Sequence, residues 1–359
     1  MKIAIIGGGI NGVMTAWELC KNNHDVTLFD KNTLMSQTSS SSSKLLHGGL
    51  RYLENLEFRL VREALRERQW WINKAPQFTQ PLKIFIPIYK QSMRPSWLYR
   101  VGLFIYDLLA GSKKIAKHQS YSRTEFIKYC PELKSKDLVK GFLYYDGQMN
   151  DYQLGLWAVN QAKQYKRLII LENTKVDQIN IDGEVVYKNH KEQFDKVINI
   201  AGPWADKLLK DNNIDSDYEL DLVRGSHIII DRKLDHGYFL EVPNERRIFF
   251  VLPYQDQTLI GTTEVRQSIA DDIKPTQSEI TYLINAYNYY FVDQVAEKDV
   301  VKYFSGLRPL IKSTQDANKA TREYVIHANK NLISVFGGKW TTSRKLAKKI
   351  CKEYIGFTS

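Results

Sequence analysis

Gly7, Gly9 and Gly12 stand in the spacing G-x-G-x-x-G, and an acid, Asp30, follows one helix and one strand later. Glycines so placed suit the binding of a dinucleotide pyrophosphate. The first permits a tight turn, the second lets the backbone approach the phosphates, and the third lets the helix lie against the strands; Asp30 is placed to accept hydrogen bonds from a ribose diol. Free N–H groups at the helix N-terminus add a positive dipole end for the phosphates. The alternative is a structural glycine turn, and the strand before it, the helix after it and the acid at the right distance argue against that. The spacing does not choose between NAD(P) and FAD. A second glycine turn, Gly337-Gly338-Lys339-Trp340-Thr341-Thr342, opens the last helix and offers another N-terminus to a phosphate or a flavin. For Thr341 and Thr342 the competing role is helix capping.

The elements that must position these turns are legible in the periodicity. Ile3-Ala4-Ile5-Ile6 reads as a buried parallel strand, residues 13–21 as a helix and residues 25–29 as a second strand. Helical periods recur over 58–73, 97–109, 151–164, 277–291 and 343–354. Residues 97–109 are apolar with basic flanks, which suits a core helix or one lying at a membrane surface; its length favours the core. Strands are expected at 82–89, around 143–145, and at 168–171, 175–181, 184–188 and 195–200. The run continues with 222–230, 238–242, 247–253, 258–261 and 332–336. The block from 222 to 261 has strand after strand without helices, so an antiparallel sheet distinct from the nucleotide-binding one is expected. The serine run before Lys44 leads straight into His47-Gly48-Gly49-Leu50-Arg51, and so reads as an ordered loop facing a polar ligand rather than a linker.

At 359 residues with 43% hydrophobic and 25% charged residues, the chain suits a soluble globular protein of two intertwined domains. Its net charge of +11 fits an anionic substrate or surface, or simply a lysine-rich solvated exterior. No nucleic-acid-binding signature and no metal-ligand spacing is present. Cys20, Cys130 and Cys351 are scattered, as expected in a reducing compartment. With no signal peptide and no apolar run of about 18 residues, the expected location is cytoplasmic, with peripheral contact on the inner face of the cytoplasmic membrane left open.

The segment His47-Gly48-Gly49-Leu50-Arg51-Tyr52-Leu53-Glu54 makes the pattern specific. The chain resembles the FAD-dependent glycerol-3-phosphate dehydrogenases of the D-amino-acid-oxidase-like flavoprotein superfamily. The match recurs in family order at Arg94-Pro95, Ala201-Gly202-Pro203-Trp204, Gly225-Ser226-His227-Ile228, Gly261-Thr262-Thr263, Gly306-Leu307-Arg308-Pro309 and Phe336-Gly337-Gly338-Lys339. It implies an α/β fold: a Rossmann-like FAD-binding domain (1–75, 140–215 and 305–359) interleaved with an antiparallel-sheet substrate domain (76–139 and 216–304). FAD contacts would come from Gly7, Gly9, Asn11, Gly12, Asp30, Ser42, Ser43, Lys44, His47, Val176, Ala201, Gly202, Trp204, Gly337, Gly338, Lys339, Thr341 and Thr342. Turns at so many separate places are more than NAD needs. Two departures stand out: family members continue into a helical C-terminal domain, and Glu264 replaces the usual Asp after Gly261.

The implied reaction is oxidation of sn-glycerol 3-phosphate, or a close phosphorylated polyol, to the ketone. It needs a cationic pocket, a base and a hydride acceptor. The resemblance assigns catalysis to His227, Arg308 and Lys339 and substrate binding to Arg51, Tyr52, Glu264 and Arg322. Guanidinium forks suit phosphate, and a histidine with an ordinary pKa near 6.5 would be a workable base. For each arginine alone a structural salt bridge is the alternative; for His227 it is a satisfied core residue, and for Lys339 a surface lysine. Rivals are a D-amino-acid or 2-hydroxy-acid oxidase of the same fold and a non-catalytic flavin-containing protein of the membrane surface. The acceptor, quinone or oxygen, is left open, as is a homodimer.

Overall fold

The computed structural model describes residues 1–312 and 324–356. The opening unit is a Lys2–Ile6 strand, an Ile10–Lys21 helix and an Asp25–Phe29 strand. The helix starts earlier than its apolar period suggests, because the Gly9 carbonyl already accepts from the Val13 N–H at 3.0 Å. Gly12 meets the turn so closely that a Cβ there would stand 1.8 Å from the Gly7 oxygen. The third glycine is therefore a packing requirement.

That unit sits in a six-stranded sheet ordered Tyr324–Asn329, Leu332–Gly337, Lys196–Asn199, Lys2–Ile6, Asp25–Phe29, Leu168–Leu171. All neighbours are parallel except Tyr324–Asn329. Side chains alternate across it. Ile3 and Ile5 pack with the helices Ile10–Lys21, Asp151–Lys163 and Ser343–Ile350. Ala4 and Ile6 face a second core that includes Val185 of a three-stranded sheet and Leu209 of the Ala205–Asp211 helix.

The second large sheet has ten strands. Its path runs Val265–Arg266, Glu219–Ile230, Gln257–Gly261, Ile248–Tyr254, Gly237–Glu241, Thr79–Tyr89, Leu138–Met149, Leu45–Leu46, with Val300–Lys312 on Glu219–Ile230 and Gln119–Ser122 on Leu138–Met149. It is antiparallel apart from the pairing of Gly237–Glu241 with Thr79–Tyr89. The expected strand block from 222 to 261 forms its centre. Strands at 300–312 and 324–329 escape a reading by alternation; Gly306 and Pro309 interrupt the first.

The apolar helix over 97–109 spans Ser96–Ala110. Tyr99, Leu103, Tyr106 and Ala110 are buried, as the core reading expects, but Trp97, Val101, Phe104 and Leu108 are exposed. It is a core helix on one face and an apolar surface on the other.

Two buried ion pairs fasten the sheets to the serine and His47 segments. Lys44 Nζ lies 2.7 Å from Asp151. Arg68 Nη1 lies 2.7 Å from Asp146, whose carboxylate also accepts from the Tyr106 hydroxyl at 2.8 Å. Breaking a buried pair strands the surviving charge and costs about 3–5 kcal/mol. Asp146→Ala should lower unfolding stability by about that much in urea titration, and a loss near that of an exposed ion pair would show the pair to be dispensable.

Candidate active site

A cavity of about 1350 Å³ runs from the first glycine turn to the strands Glu219–Ile230 and Val300–Lys312. That exceeds the roughly 300–1,000 Å³ typical of a single drug-sized ligand. It has room for an extended ligand and a small second one. Gly7, Gly9, Asn11, Asp30, Val176, Ala201, Gly202 and Trp204 line one end. Ser42, Ser43, His47, Gly337, Gly338, Lys339, Thr341 and Thr342 line the middle, and Arg51, Tyr52, His227, Glu264 and Arg308 the other end. Residues more than 300 apart in sequence are thus gathered because both sheets end on one space.

Two expected cofactor residues do not line it. Gly12 packs under the turn. Lys44 turns its ammonium to Asp151 and to the Ser40 carbonyl, each at 2.7 Å, so it fixes the serine loop from behind. Arg322 lies outside the described residues. Asp30 receives the Gly8 N–H at 2.7 Å and the Asn32 N–H at 2.8 Å, while burial, its leading influence, pushes its carboxyl pKa up. The capping alternative for Thr342 fails: it stands at the N-cap of the last helix with no side-chain cap bond, and its hydroxyl has no partner among the described residues. Thr341 instead accepts from the His47 N–H at 3.3 Å.

Several buried polar atoms of cavity-lining residues have no hydrogen-bond partner among the described residues: Asn11 Oδ1, His227 Nδ1, Arg308 Nε, Lys339 Nζ and Thr342 Oγ1. Unpaired buried polar groups are costly and rare, and their clustering marks a place shaped for a polar ligand. Lys339 stands 3.9 Å from the centre of the Tyr52 ring, so Arg51-Tyr52 and the second glycine turn meet across the cavity.

His227 is buried, stacked 4.8 Å from Phe304, with its Nε2 2.9 Å from the Ser43 hydroxyl. A Cβ at Gly261 would fall 2.1 Å from the ring, so only glycine admits the imidazole. The ordinary pKa expected from sequence does not hold. Burial first, then the charges of Lys44 and Arg308, lower it to about 3. The imidazole is neutral at every physiological pH, and the Ser43 contact, 184 residues away in sequence, left no sequence signal. Arg308 donates to the Thr263 carbonyl at 2.9 Å and approaches Glu264 at 3.5 Å, while Arg247 lies 3.6 Å from the same carboxylate. Phe239, Ile248 and Phe250 add an apolar wall that the motifs did not reveal.

The depressed His227 pKa has a testable sign. Below its ordinary value near 6.5 the unfolded chain takes up a proton that the folded chain refuses until about pH 3. Stability is therefore lost as pH falls through that window. His227→Gln should flatten the dependence of Tm on pH between those limits, and an unchanged slope would mean that the ring is not held neutral.

The model of the FAD-dependent oxidoreductase family matches residues 2–351. A glycerol-3-phosphate dehydrogenase of Pseudomonas tolaasii is 36% identical over 99% of the chain and 71% of its own length. D-erythritol 1-phosphate dehydrogenase of Brucella abortus is 38% identical over 96% of the chain and 72% of its own length. The solved glycerol-3-phosphate dehydrogenase of Bacillus halodurans, complexed with FAD, superposes with a TM-score of 0.76 at 26% identity, covering 97% of this chain and 63% of that one.

Proposed function

We propose that this chain, which belongs to the FAD-dependent oxidoreductase family, oxidises the secondary alcohol of sn-glycerol 3-phosphate or a close phosphorylated polyol to the ketone. The observation that carries this is the far end of the cavity. Arg308 and Arg51 line it, Lys339 reaches it over the Tyr52 ring, and the Arg308 Nε and Lys339 Nζ have no hydrogen-bond partner among the described residues. Such a cluster suits a phosphate dianion better than the single carboxylate of an amino acid. The relatives at 36–38% identity are named for glycerol 3-phosphate and erythritol 1-phosphate.

The two glycine turns, the serine loop and Ala201-Gly202 would hold FAD, which when bound would supply the hydride acceptor. Arg308 and Arg51 hold the phosphate and so fix the alcohol carbon. In the tautomer that donates Nε2–H to the Ser43 oxygen, the Nδ1 lone pair of His227 is left to take the hydroxyl proton. The arriving dianion offsets the cations that hold the imidazole pKa down, so the base strengthens when substrate is bound. Lys339 steadies the alkoxide as the proton leaves. Anaerobic addition of glycerol 3-phosphate should bleach the oxidised-flavin absorbance, whereas glycerol and D-amino acids should not. His227→Ala should slow bleaching by about 10²–10⁴-fold at unchanged FAD content. Bleaching by an amino acid alone would overturn the substrate class.

A specific surface also favours peripheral contact with an anionic membrane. Trp97, Val101, Phe104 and Leu108 form one exposed stripe, Leu56 and Met93 are exposed as well, and Arg100 and Lys113 stand out as exposed cations on the same segment. Among the described residues no helix is long and apolar enough to cross a membrane. An apolar stripe with cationic flanks suits a helix lying in the headgroup layer. The protein should sediment with vesicles rich in phosphatidylglycerol, and Trp97→Ser with Phe104→Ser should release it while leaving glycerol 3-phosphate bleaching intact. Equal sedimentation of both forms would sink this reading.

A further inference from the structure

Alternate residues of the Glu219–Ile230 strand face opposite sides. Val223, Gly225 and His227 line the cavity. Arg224 and Ser226 point the other way, toward the helix Gln277–Tyr290, and both reach one carboxylate there. Glu279 takes the Arg224 guanidinium at 2.8 Å on Oε2 and the Ser226 hydroxyl at 2.7 Å on Oε1. Its Oε1 also takes the Thr263 hydroxyl at 2.6 Å, and its Oε2 closes a capping box with the Thr276 N–H at 2.9 Å. Burial disfavours this charge, but hydrogen bonds led by Thr263, then Thr276, Ser226 and Arg224, outweigh it and hold the carboxyl at about 2. The side chain is ionised and saturated.

Thr263 is the link to the cavity. Its hydroxyl also accepts from the Ser226 N–H at 2.9 Å, and its own N–H donates to the Ser226 carbonyl at 3.3 Å. Its side chain and N–H are both anchored, and its carbonyl also accepts from the Thr262 hydroxyl at 3.2 Å. That carbonyl receives Arg308 Nη2 at 2.9 Å. Ser226 in turn meets Ser305, at 2.8 Å, on the strand that carries Arg308. A carboxylate outside the cavity therefore holds both the residue before His227 and the anchor of Arg308.

We propose that Glu279 is a positioning residue for the reaction, acting through Thr263 on the guanidinium of Arg308 and thereby setting affinity for the phosphate of the substrate. This rests on the reading of Arg308 as a phosphate ligand. Without the carboxylate, the 262–264 turn loses its tie to the sheet and the Arg308 fork loses its aim. The strand still pairs with its neighbours, so the fold and the flavin turns, which lie elsewhere, are retained.

The test uses the FAD-loaded protein and inorganic phosphate, followed by perturbation of the flavin absorbance. Glu279→Gln should weaken phosphate binding about tenfold, the size of one lost charged hydrogen bond, and raise KM for glycerol 3-phosphate in parallel while kcat changes far less. FAD content should stay the same. Thr263→Val, which removes only the linking hydroxyl, should give the same reading and serves if the Gln variant does not fold. In an Arg308→Lys background either change should add less than about twofold, because residues that act as a unit are not additive. Unchanged phosphate affinity in both variants, or losses that multiply fully on the Arg308→Lys background, would overturn the proposal while leaving the role of Arg308 standing. If Arg308→Lys itself leaves phosphate affinity untouched, the reading of Arg308 fails and the proposal falls with it.

Discussion

One strand has to serve two environments with a side-chain period of 2. In Glu219–Ile230 the odd positions from Val223 to His227 face a polar cavity, and the even positions face a helix and a hydrophobic core that begins at Ile228. A slip of one residue would exchange His227 for Ser226 and place Arg224 in the cavity. The register is held by the long pairing with Val300–Lys312, in which His227 stands opposite Phe304 and Val223 opposite Arg308. The stacking of His227 on Phe304, and the meeting of Arg308 with the 262–264 turn, depend on this pairing.

The same arrangement explains the electrostatics of the cavity. Lys44 and Asp151 neutralise one another beside the serine loop, and Arg68 and Asp146 do so below His47. Among the described residues Arg308 meets a distant carboxylate and a carbonyl, and Lys339 the face of Tyr52. Cations at the Arg308 end of the cavity are thus left under-compensated while those behind the loops are paired. The burial that lowers the Arg308 pKa raises the electrostatic gain from a bound anion, because fewer waters compete.

The architecture was legible in the sequence wherever the pattern is local. The opening strand, helix and strand, the second glycine turn and the central antiparallel block all announce themselves by period and punctuation, and the family motifs named most of the residues that meet at the cavity. What escaped was decided by partners far away in the chain. Lys44 sits in the motif that carries the serine loop, yet its ammonium is taken by Asp151, an acid with no motif around it. His227 has an ordinary pKa in any local reading; burial, then Lys44 and Arg308, remove it. Glu279 looks in sequence like the third helical residue of a capping box after Thr276, which it is, and nothing nearby shows that its other oxygen reaches Thr263 and Ser226.

The Ser96–Ala110 helix shows why a choice between core and surface was badly posed. Periodicity reports that a residue is apolar, and a helix packed on one side leaves the other side to solvent whatever its composition. Here Leu103 and Tyr106 join the core beneath the Leu50–Asn55 turn, which carries Arg51 and Tyr52 into the cavity. That turn ends at exposed Leu56, and the exposed stripe of the helix belongs to the element packed beside it. Any surface that covered this stripe would bear on the helix that supports the turn carrying Arg51. The exposed apolar stripe and the turn that carries Arg51 to the cavity thus share one structural support, the packing of the Ser96–Ala110 helix against Leu50–Asn55.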